Sequence, residues 1–215
     1  MKYIAIVGML MLSLAGFAQD ETAYIELKNQ GNEALKSKNY AKAFELYESS
    51  YNQWPEGEEM DAAMVFNMAT CARRSKMYEK SLEYYKKSVE LNYKPDFATF
   101  YIASAYENLG NEEEMEVVLL KAIEDYKTSG VVGHMKKKLT TFYLKKGAES
   151  YNEANQILAT AANAQPEQYA EITAKANEAF AAAKPWFEKV LSIDASNQSA
   201  EASLAEIHKR LNAEN

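Results

Sequence analysis

Residues 31–55 read GNEALKSKNYAKAFELYESSYNQWP. A small residue, Gly31, opens an apolar pattern with helical spacing, and a short polar segment then leads to Tyr40. Ala43 comes next, and Tyr47 lies four positions after it, so both side chains lie on one face of a helix. The pattern predicts two antiparallel helices joined by a short turn, with small residues of the first facing an aromatic ring of the second.

This frame recurs twice further along the chain. Tyr78 stands 38 positions after Tyr40, and Glu112 stands 34 positions after Tyr78. The four additional residues in the first interval fit an acidic loop at 56–59. The recurring small, aromatic and turn positions are Ala69, Ala72, Tyr78, Ser81, Tyr85 and Pro95, then Ala103, Tyr106, Gly110, Asn111, Met115, Leu119 and Ala122. One such helix pair cannot bury its apolar face alone, so successive pairs must stack. We expect helices at about 21–36, 40–53, 59–74, 78–91, 96–109 and 112–128.

A period near 34 residues with this pattern resembles the tetratricopeptide-repeat (TPR) family, as an exported bacterial member. The resemblance covers about residues 24–126. It implies an all-α fold, an α-solenoid of about four helix pairs, in which the first helix of each pair lines a concave groove. It also implies a non-enzymatic module or scaffold that binds a peptide segment or a partner helix, with no cofactor.

The C-terminal third departs from the simple period. We interpret residues 134–195 as a fourth repeat, stretched by a long helical hairpin at about 151–182, with Ala183 and Phe187 in the small and aromatic positions. Pro185 is expected to kink its helix. An amphipathic segment at 197–213 predicts a capping helix. One continuous domain is therefore expected over 19–215, with repeats at about 21–55, 59–95, 96–128 and 134–195.

The first eighteen residues have the pattern of a secretory signal. Lys2 precedes an apolar run, and small residues end at Ala18, at the spacing of a cleavage site. An uncleaved anchor is the alternative. Cleavage implies an exported protein, in the periplasm or secreted, without stable membrane insertion. The net charge of −7 argues against a sequence-independent nucleic-acid binder, because such a protein needs a basic face.

No catalytic or metal-binding pattern is present in the sequence. His134 and His208 each lack a second ligand at metal-binding spacing, and no nucleophile stands beside a base. We therefore expect no enzyme, metal or cofactor, with an atypical active site as the alternative. The lone Cys71 is interpreted as a small buried apolar residue; pairing with another chain is the alternative.

The resemblance places the partner-binding residues on the first helix of each pair. The candidates are Lys28, Asn32, Leu35, Phe66, Asn67, Thr70, Arg73, Phe97, Tyr101 and Ser104. Some TPR proteins bind a C-terminal carboxylate through five polar residues, and Lys28, Asn32 and Asn67 match the first three. Phe97 and Tyr101 occupy the last two positions in place of cations, so an aromatic groove is expected instead.

A second surface is available on the predicted hairpin. Residues 151–182 are rich in alanine, and small side chains permit close helix packing, so the hairpin is a candidate for self-association. The alternative is that alanine serves there only as a strong helix former. A structural subunit of an envelope complex that uses this hairpin or the convex face is the alternative function.

Overall fold

The computed structural model describes residues 22–212, apart from the side chain of Asn163. In this range the chain is all α-helical, as predicted, and contains no strand. The helices are α1 (22–36), α2 (Tyr40–Asn52), α3 (Ala62–Arg74), α4 (Tyr78–Glu90), α5 (Pro95–Leu109), α6 (Glu112–Asp125), α7 (Val132–Thr160), α8 (Pro166–Ile193) and α9 (Gln198–Asn212), with a 3₁₀ turn at Ala161–Asn163. The predicted signal peptide, residues 1–18, lies outside the described residues.

The chain divides into two compact units, which we call unit 1, ending at Val131, and unit 2, beginning at Val132. The division falls between the third and fourth predicted repeats, whose exact boundaries stay predictions. None of the helices within residues 22–212 combines the length and the apolar character that a membrane span requires.

Unit 1 is built by packing each helix against its neighbours in the chain. The pairs α2–α3, α3–α4, α4–α5 and α5–α6 are in contact, and the Ser50 hydroxyl on α2 donates to the Tyr24 carbonyl oxygen on α1 at 2.7 Å. Tyr47, Met68 and Tyr85 are fully buried in its core. This serial packing is the α-solenoid arrangement that the period of the sequence predicts.

Local capping explains where the helices of unit 1 begin. Asp61 precedes α3, and its carboxylate accepts a hydrogen bond from the Met64 backbone N–H at 2.9 Å. This bond satisfies an amide that has no partner inside the helix, so α3 begins at Ala62 and not at residue 59. Pro95 occupies the first turn of α5, where its missing N–H costs no helical hydrogen bond. At every end that the structure describes, the six helices predicted for unit 1 agree with the observed ones to within three residues.

Unit 2 contains the long hairpin that the sequence predicts. α7 has 29 residues and α8 has 28, and the two helices pack against each other. α9 packs against α8. Phe180, Ala183 and Phe187 are buried along α8. The helix α8 continues through Pro185 to Ile193, so the proline removes one backbone hydrogen bond without ending the helix. The kink expected there stays a prediction.

Cys71 is a free cysteine that is completely buried on α3, which confirms its interpretation as an apolar core residue. Burial raises the pKa of its thiol to about 12. Since only the thiolate attacks, we expect folded chain at pH 8 to react with a disulfide reagent at least about 10³-fold more slowly than unfolded chain. Thiol labelling followed with and without guanidinium measures this ratio. Rapid, stoichiometric labelling of the folded chain would contradict the buried assignment.

Candidate functional site

The ten predicted groove residues all lie in unit 1, on the alternate helices α1, α3 and α5. Lys28, Asn32 and Leu35 are on α1, then Phe66, Asn67, Thr70 and Arg73 on α3, then Phe97, Tyr101 and Ser104 on α5. None of the ten is buried: nine are half-buried, and Phe97 is 41% exposed. The structure therefore leaves each of them accessible, although their surroundings differ between α1 and α5.

The two asparagines of the partial carboxylate-binding pattern bond to the same core tyrosine. The Tyr47 hydroxyl donates to Asn32 Oδ1 at 2.7 Å, and the Asn67 side chain also hydrogen bonds to this hydroxyl. Burial raises the pKa of Tyr47 above its usual value, and the nearby Cys71 and Asp61 raise it further by smaller amounts. The phenol therefore stays neutral and can donate. Both amides thus hold the ring that separates the first two helix pairs.

Lys28, the third member of that pattern, is also engaged inside the protein. Its Nζ atom lies 3.1 Å from Asp61 Oδ2, in a half-buried ion pair between α1 and the start of α3. The same ammonium lies 5.9 Å from the centre of the Trp54 ring. A ligand carboxylate at this end of the groove would have to compete with Asp61, so this part of the groove is not an open anion site.

The other end of the groove holds four packed aromatic rings, which we call the aromatic cluster: Phe66, Tyr85, Tyr93 and Tyr101. The centre of the Phe66 ring lies 5.4 Å from that of Tyr85, 5.8 Å from that of Tyr93 and 6.3 Å from that of Tyr101. Tyr85 and Tyr101 are 5.1 Å apart. These separations suit favourable ring pairs. Tyr85 is buried beneath the cluster, whereas the other three rings are partly accessible.

Hydrogen bonds fix the base of the aromatic cluster. The hydroxyls of Thr70 and Tyr85 share a hydrogen bond of 2.9 Å, and Arg73 Nε donates to the Tyr85 hydroxyl at 3.4 Å. Burial raises the pKa of Tyr85, while the hydrogen bonds from Thr70 and Arg73 act in the opposite direction. The neutral Tyr85 hydroxyl, which is buried beneath the cluster, therefore orients Arg73 by accepting its hydrogen bond.

Two cations lie on the aromatic cluster. The guanidinium carbon of Arg73 lies 4.4 Å from the centre of the Tyr101 ring. Lys94 Nζ lies 5.3 Å from the centres of both Phe66 and Tyr93. In the part of the chain that the structure describes, neither cation forms an ion pair with a carboxylate. Arg73 stacks on a ring and uses Nε internally, so the outer edge of its guanidinium remains available for a carbonyl or carboxylate oxygen.

Sequence reasoning missed Tyr93 and Lys94 as site residues. Both lie in the turn between α4 and α5, outside the first helices to which the family pattern assigns the groove. Lys94 has a left-handed backbone (φ 45°) as the residue that precedes Pro95. The Tyr-Lys-Pro sequence was the available signal, but residue type alone does not reveal the direction of the turn.

The remaining predicted residues have simpler surroundings. The Ser104 hydroxyl donates to the Phe100 carbonyl oxygen at 3.1 Å, within α5. Leu35 packs against the unit 1 core and lines an open pocket between α1 and α2. Within residues 22–212 no group of three His, Cys, Asp or Glu side chains is arranged to hold a metal ion. The aromatic cluster with Arg73 and Lys94 is therefore the most developed site.

The tetratricopeptide repeat family model matches residues 62–95 and 101–124, which include α3, α4 and most of α5 and α6. Among solved structures, a TPR repeats protein from Bacteroides fragilis is similar over 87% of this chain and 99% of its own, with 23% identity and a TM-score of 0.52. This likeness concerns the fold alone.

Two further solved structures are similar at lower TM-scores. A tetratricopeptide repeat protein from Parabacteroides merdae aligns over 89% of this chain and 74% of its own, with 14% identity and a TM-score of 0.47. YrrB, described as a TPR protein with an unusual peptide-binding site, aligns over 88% and 96%, with 13% identity and a TM-score of 0.44. No curated protein matches the sequence.

Proposed function

We propose, from the premise that this chain is a tetratricopeptide-repeat protein, that it binds an extended polypeptide segment in the groove of unit 1. TPR proteins bind protein or peptide partners. The observation that supports this use of the groove is the accessible aromatic cluster between α3 and α5, with Arg73 and Lys94 on its rings. Phe97, which is 41% exposed on α5, extends the apolar surface.

The chemistry of the aromatic cluster favours one kind of segment. Apolar side chains of the partner would pack on Phe66, Tyr93 and Tyr101, where they displace water from ring faces. Arg73 would bind a carbonyl or an acidic side chain through its outer guanidinium edge. Because Lys28, Asn32 and Asn67 already have internal partners, the α1 end would supply shape and weak polar contacts but little anion binding.

We further propose that the protein is a non-enzymatic scaffold that acts outside the cytoplasm, in the periplasm or after secretion. The location depends on the signal pattern of residues 1–18, with Ala18 before the cleavage site. Sequencing the N-terminus of the chain recovered from a bacterial host is the test. A chain that starts at Gln19 supports export, and one that retains residues 1–18 in the cytoplasm contradicts it.

The groove is tested by peptide selection on the full mature chain. Random peptides displayed on phage are selected against the wild type, and the best ones are synthesised with an amidated C-terminus. We expect Arg73→Gln to weaken their binding about tenfold, since a charge-assisted contact is lost. Arg74→Gln is the matched control, because Arg74 carries the same charge at the next position and lies near Tyr40, outside the aromatic cluster.

Isothermal titration calorimetry gives the two affinities, and circular dichroism establishes that both variants remain folded. Selected peptides that bind Arg73→Gln, Lys94→Gln and Tyr101→Ala as tightly as the wild type would contradict the use of the groove. The same conclusion would follow if selection yielded no peptide at all.

A further inference from the structure

A second pocket lies in unit 1, away from the groove residues. It has a volume of about 420 Å³ and is lined by parts of α4, α5 and α6. Val89 on α4, Ile102 and Tyr106 on α5, and Val118 on α6 contribute to its mostly apolar wall. This volume falls within the range of ordinary ligand-binding pockets. The proposed groove function uses none of these side chains.

The repeat frame shows what occupies the corresponding space one repeat earlier. Val89 takes the position of Tyr51, and Val118 takes the position of Tyr84, when Tyr40, Tyr78 and Glu112 are aligned as the starts of α2, α4 and α6. Between α2 and α4, the rings of Tyr51 and Tyr84 pack 5.6 Å apart. The Tyr84 ring also lies 6.0 Å from that of Phe44, and its side chain is buried. Two tyrosine rings thus fill the interface between α2 and α4, which we call the first interface. In the second interface, between α4 and α6, two valines take their positions and leave the space open.

The charges around the two spaces also differ. In the first interface the Tyr84 hydroxyl donates to Glu48 Oε1 at 2.9 Å, and Lys80 Nζ lies 2.9 Å from the same oxygen. Lys86 takes the position of Glu48 in the second interface. It is exposed at the pocket rim with its ammonium 5.2 Å from the centre of the Tyr106 ring. Within residues 22–212 it has no carboxylate partner. Lys121 and Asp125 also line the pocket, but they form an ion pair with each other, so the unpaired charge at the rim is positive and complementary to an anionic group.

From the missing rings and the reversed charge, we infer that this pocket is a second binding site, which takes an aromatic side chain of a partner polypeptide next to an acidic residue. The ring occupies the space that tyrosines fill one repeat earlier, and the acidic group pairs with Lys86. A neighbouring apolar residue on α6 extends the surface, since Leu120 is 44% exposed. An aromatic anchor in a pocket surrounded by apolar contacts is the usual form of a protein-binding hot spot.

The test uses the full chain and two acetylated dipeptide amides, Glu-Tyr and Lys-Tyr, which share the ring and differ in charge. Methyl resonances of Val89, Ile102 and Val118 report on the pocket. We expect Glu-Tyr to shift these resonances and to bind about threefold more tightly than Lys-Tyr, as for an exposed ion pair. Lys86→Glu is expected to reverse this order, and the change on an exposed side chain leaves the core intact.

Val118→Tyr restores the residue type of the first interface and should fill the pocket. We expect it to abolish binding of both dipeptides and to raise the thermal midpoint of unfolding by about 2–4 °C. Val117→Tyr is the matched control, because Val117 is 65% exposed at the preceding position and does not line the pocket, so the change should leave binding unchanged. Pocket resonances unmoved by either dipeptide, or an order of affinities that Lys86→Glu does not change, would overturn the inference. Either outcome leaves the proposal that the groove binds a peptide unchanged, because the pocket and the groove use different side chains.

Discussion

Replacing Tyr85 by alanine is expected to lower the free energy of unfolding of unit 1 by about 3–5 kcal/mol. Tyr85 is completely buried, and its ring lies 5.4 Å from that of Phe66 and 5.1 Å from that of Tyr101. Truncation leaves a cavity of ring size between α3, α4 and α5, and it also leaves the Thr70 hydroxyl without its 2.9 Å partner. Because one substitution causes both losses, the decrease in the free energy of unfolding should be among the largest for any single substitution.

A second variant separates the ring from its hydroxyl. Tyr85→Phe keeps the packing and removes only the hydrogen bonds to Thr70 and Arg73, so we expect a loss of about 1–2 kcal/mol. Tyr169→Ala is the control for tyrosine truncation as such. Tyr169 is 55% exposed in unit 2, and its removal should change stability by less than about 0.5 kcal/mol.

Urea unfolding followed by tryptophan fluorescence measures these differences. The chain has two tryptophans, Trp54 in unit 1 and Trp186 in unit 2, so a Trp186→Phe background makes the signal specific to unit 1. If Tyr85→Ala cost no more than Tyr85→Phe, the ring would not support the helix packing, and the assignment of Tyr85 to the core of the aromatic cluster would be wrong.

The positions of Tyr47 and Tyr85 could be predicted from sequence because helix periodicity determines them. In this pattern an aromatic residue follows a small residue by four positions, and another small residue of the preceding helix faces it. Such a ring must lie between neighbouring helices. The structure confirms this for Tyr47, which faces Gly31, and the same reasoning predicted the helix ends to within three residues. Predictions that depend only on spacing within one or two helices were therefore reliable.

The groove was harder to predict because its chemistry depends on partners that are distant in sequence. Lys28 and Asp61 are 33 positions apart, and their ion pair removes a cation from the groove. Asn32 matches a carboxylate-binding position by residue type, yet Tyr47 uses its side chain. Lys94 joins the aromatic cluster only because of a left-handed turn residue. Residue type identified the helices that line the groove, but not which side chains remain available to a ligand.

The division into two compact units had no local signal. Residues 126–131 include Ser129 and Gly130 but form no linker rich in serine and glycine and show no sharp change in composition, so the sequence favoured one continuous domain. The long hairpin was predictable, because the helical pattern continues beyond Tyr151 where a repeat would ordinarily turn. The contacts that make α7, α8 and α9 a unit of their own involve residues far apart in sequence.

Replacing Gly147 by valine is expected to lower the free energy of unfolding of unit 2 by about 3 kcal/mol. A Cβ atom added at Gly147 would lie 2.9 Å from Cε1 and Cζ of Phe187, closer than real Cβ contacts allow. Phe187 is buried and follows the buried Ala183 by four positions. Gly31 stands in the same relation to Tyr47 in the first repeat, where the added atom would lie 2.7 Å from the ring. This equivalence connects the stretched fourth repeat to the ordinary ones.

Ala148→Val is the matched control, because Ala148 is exposed at the next position of the same helix and a valine there costs only helix propensity, about 0.5 kcal/mol. The source of the clash is tested by coupling. If the Phe187 ring is the obstacle, Phe187→Leu should relieve part of the penalty of Gly147→Val, so the double variant should be more stable than the sum of the single effects predicts. Urea unfolding in a Trp54→Phe background, where Trp186 reports on unit 2, measures all four free energies. Strict additivity would show that Gly147 and Phe187 do not form the close contact that defines the fourth repeat.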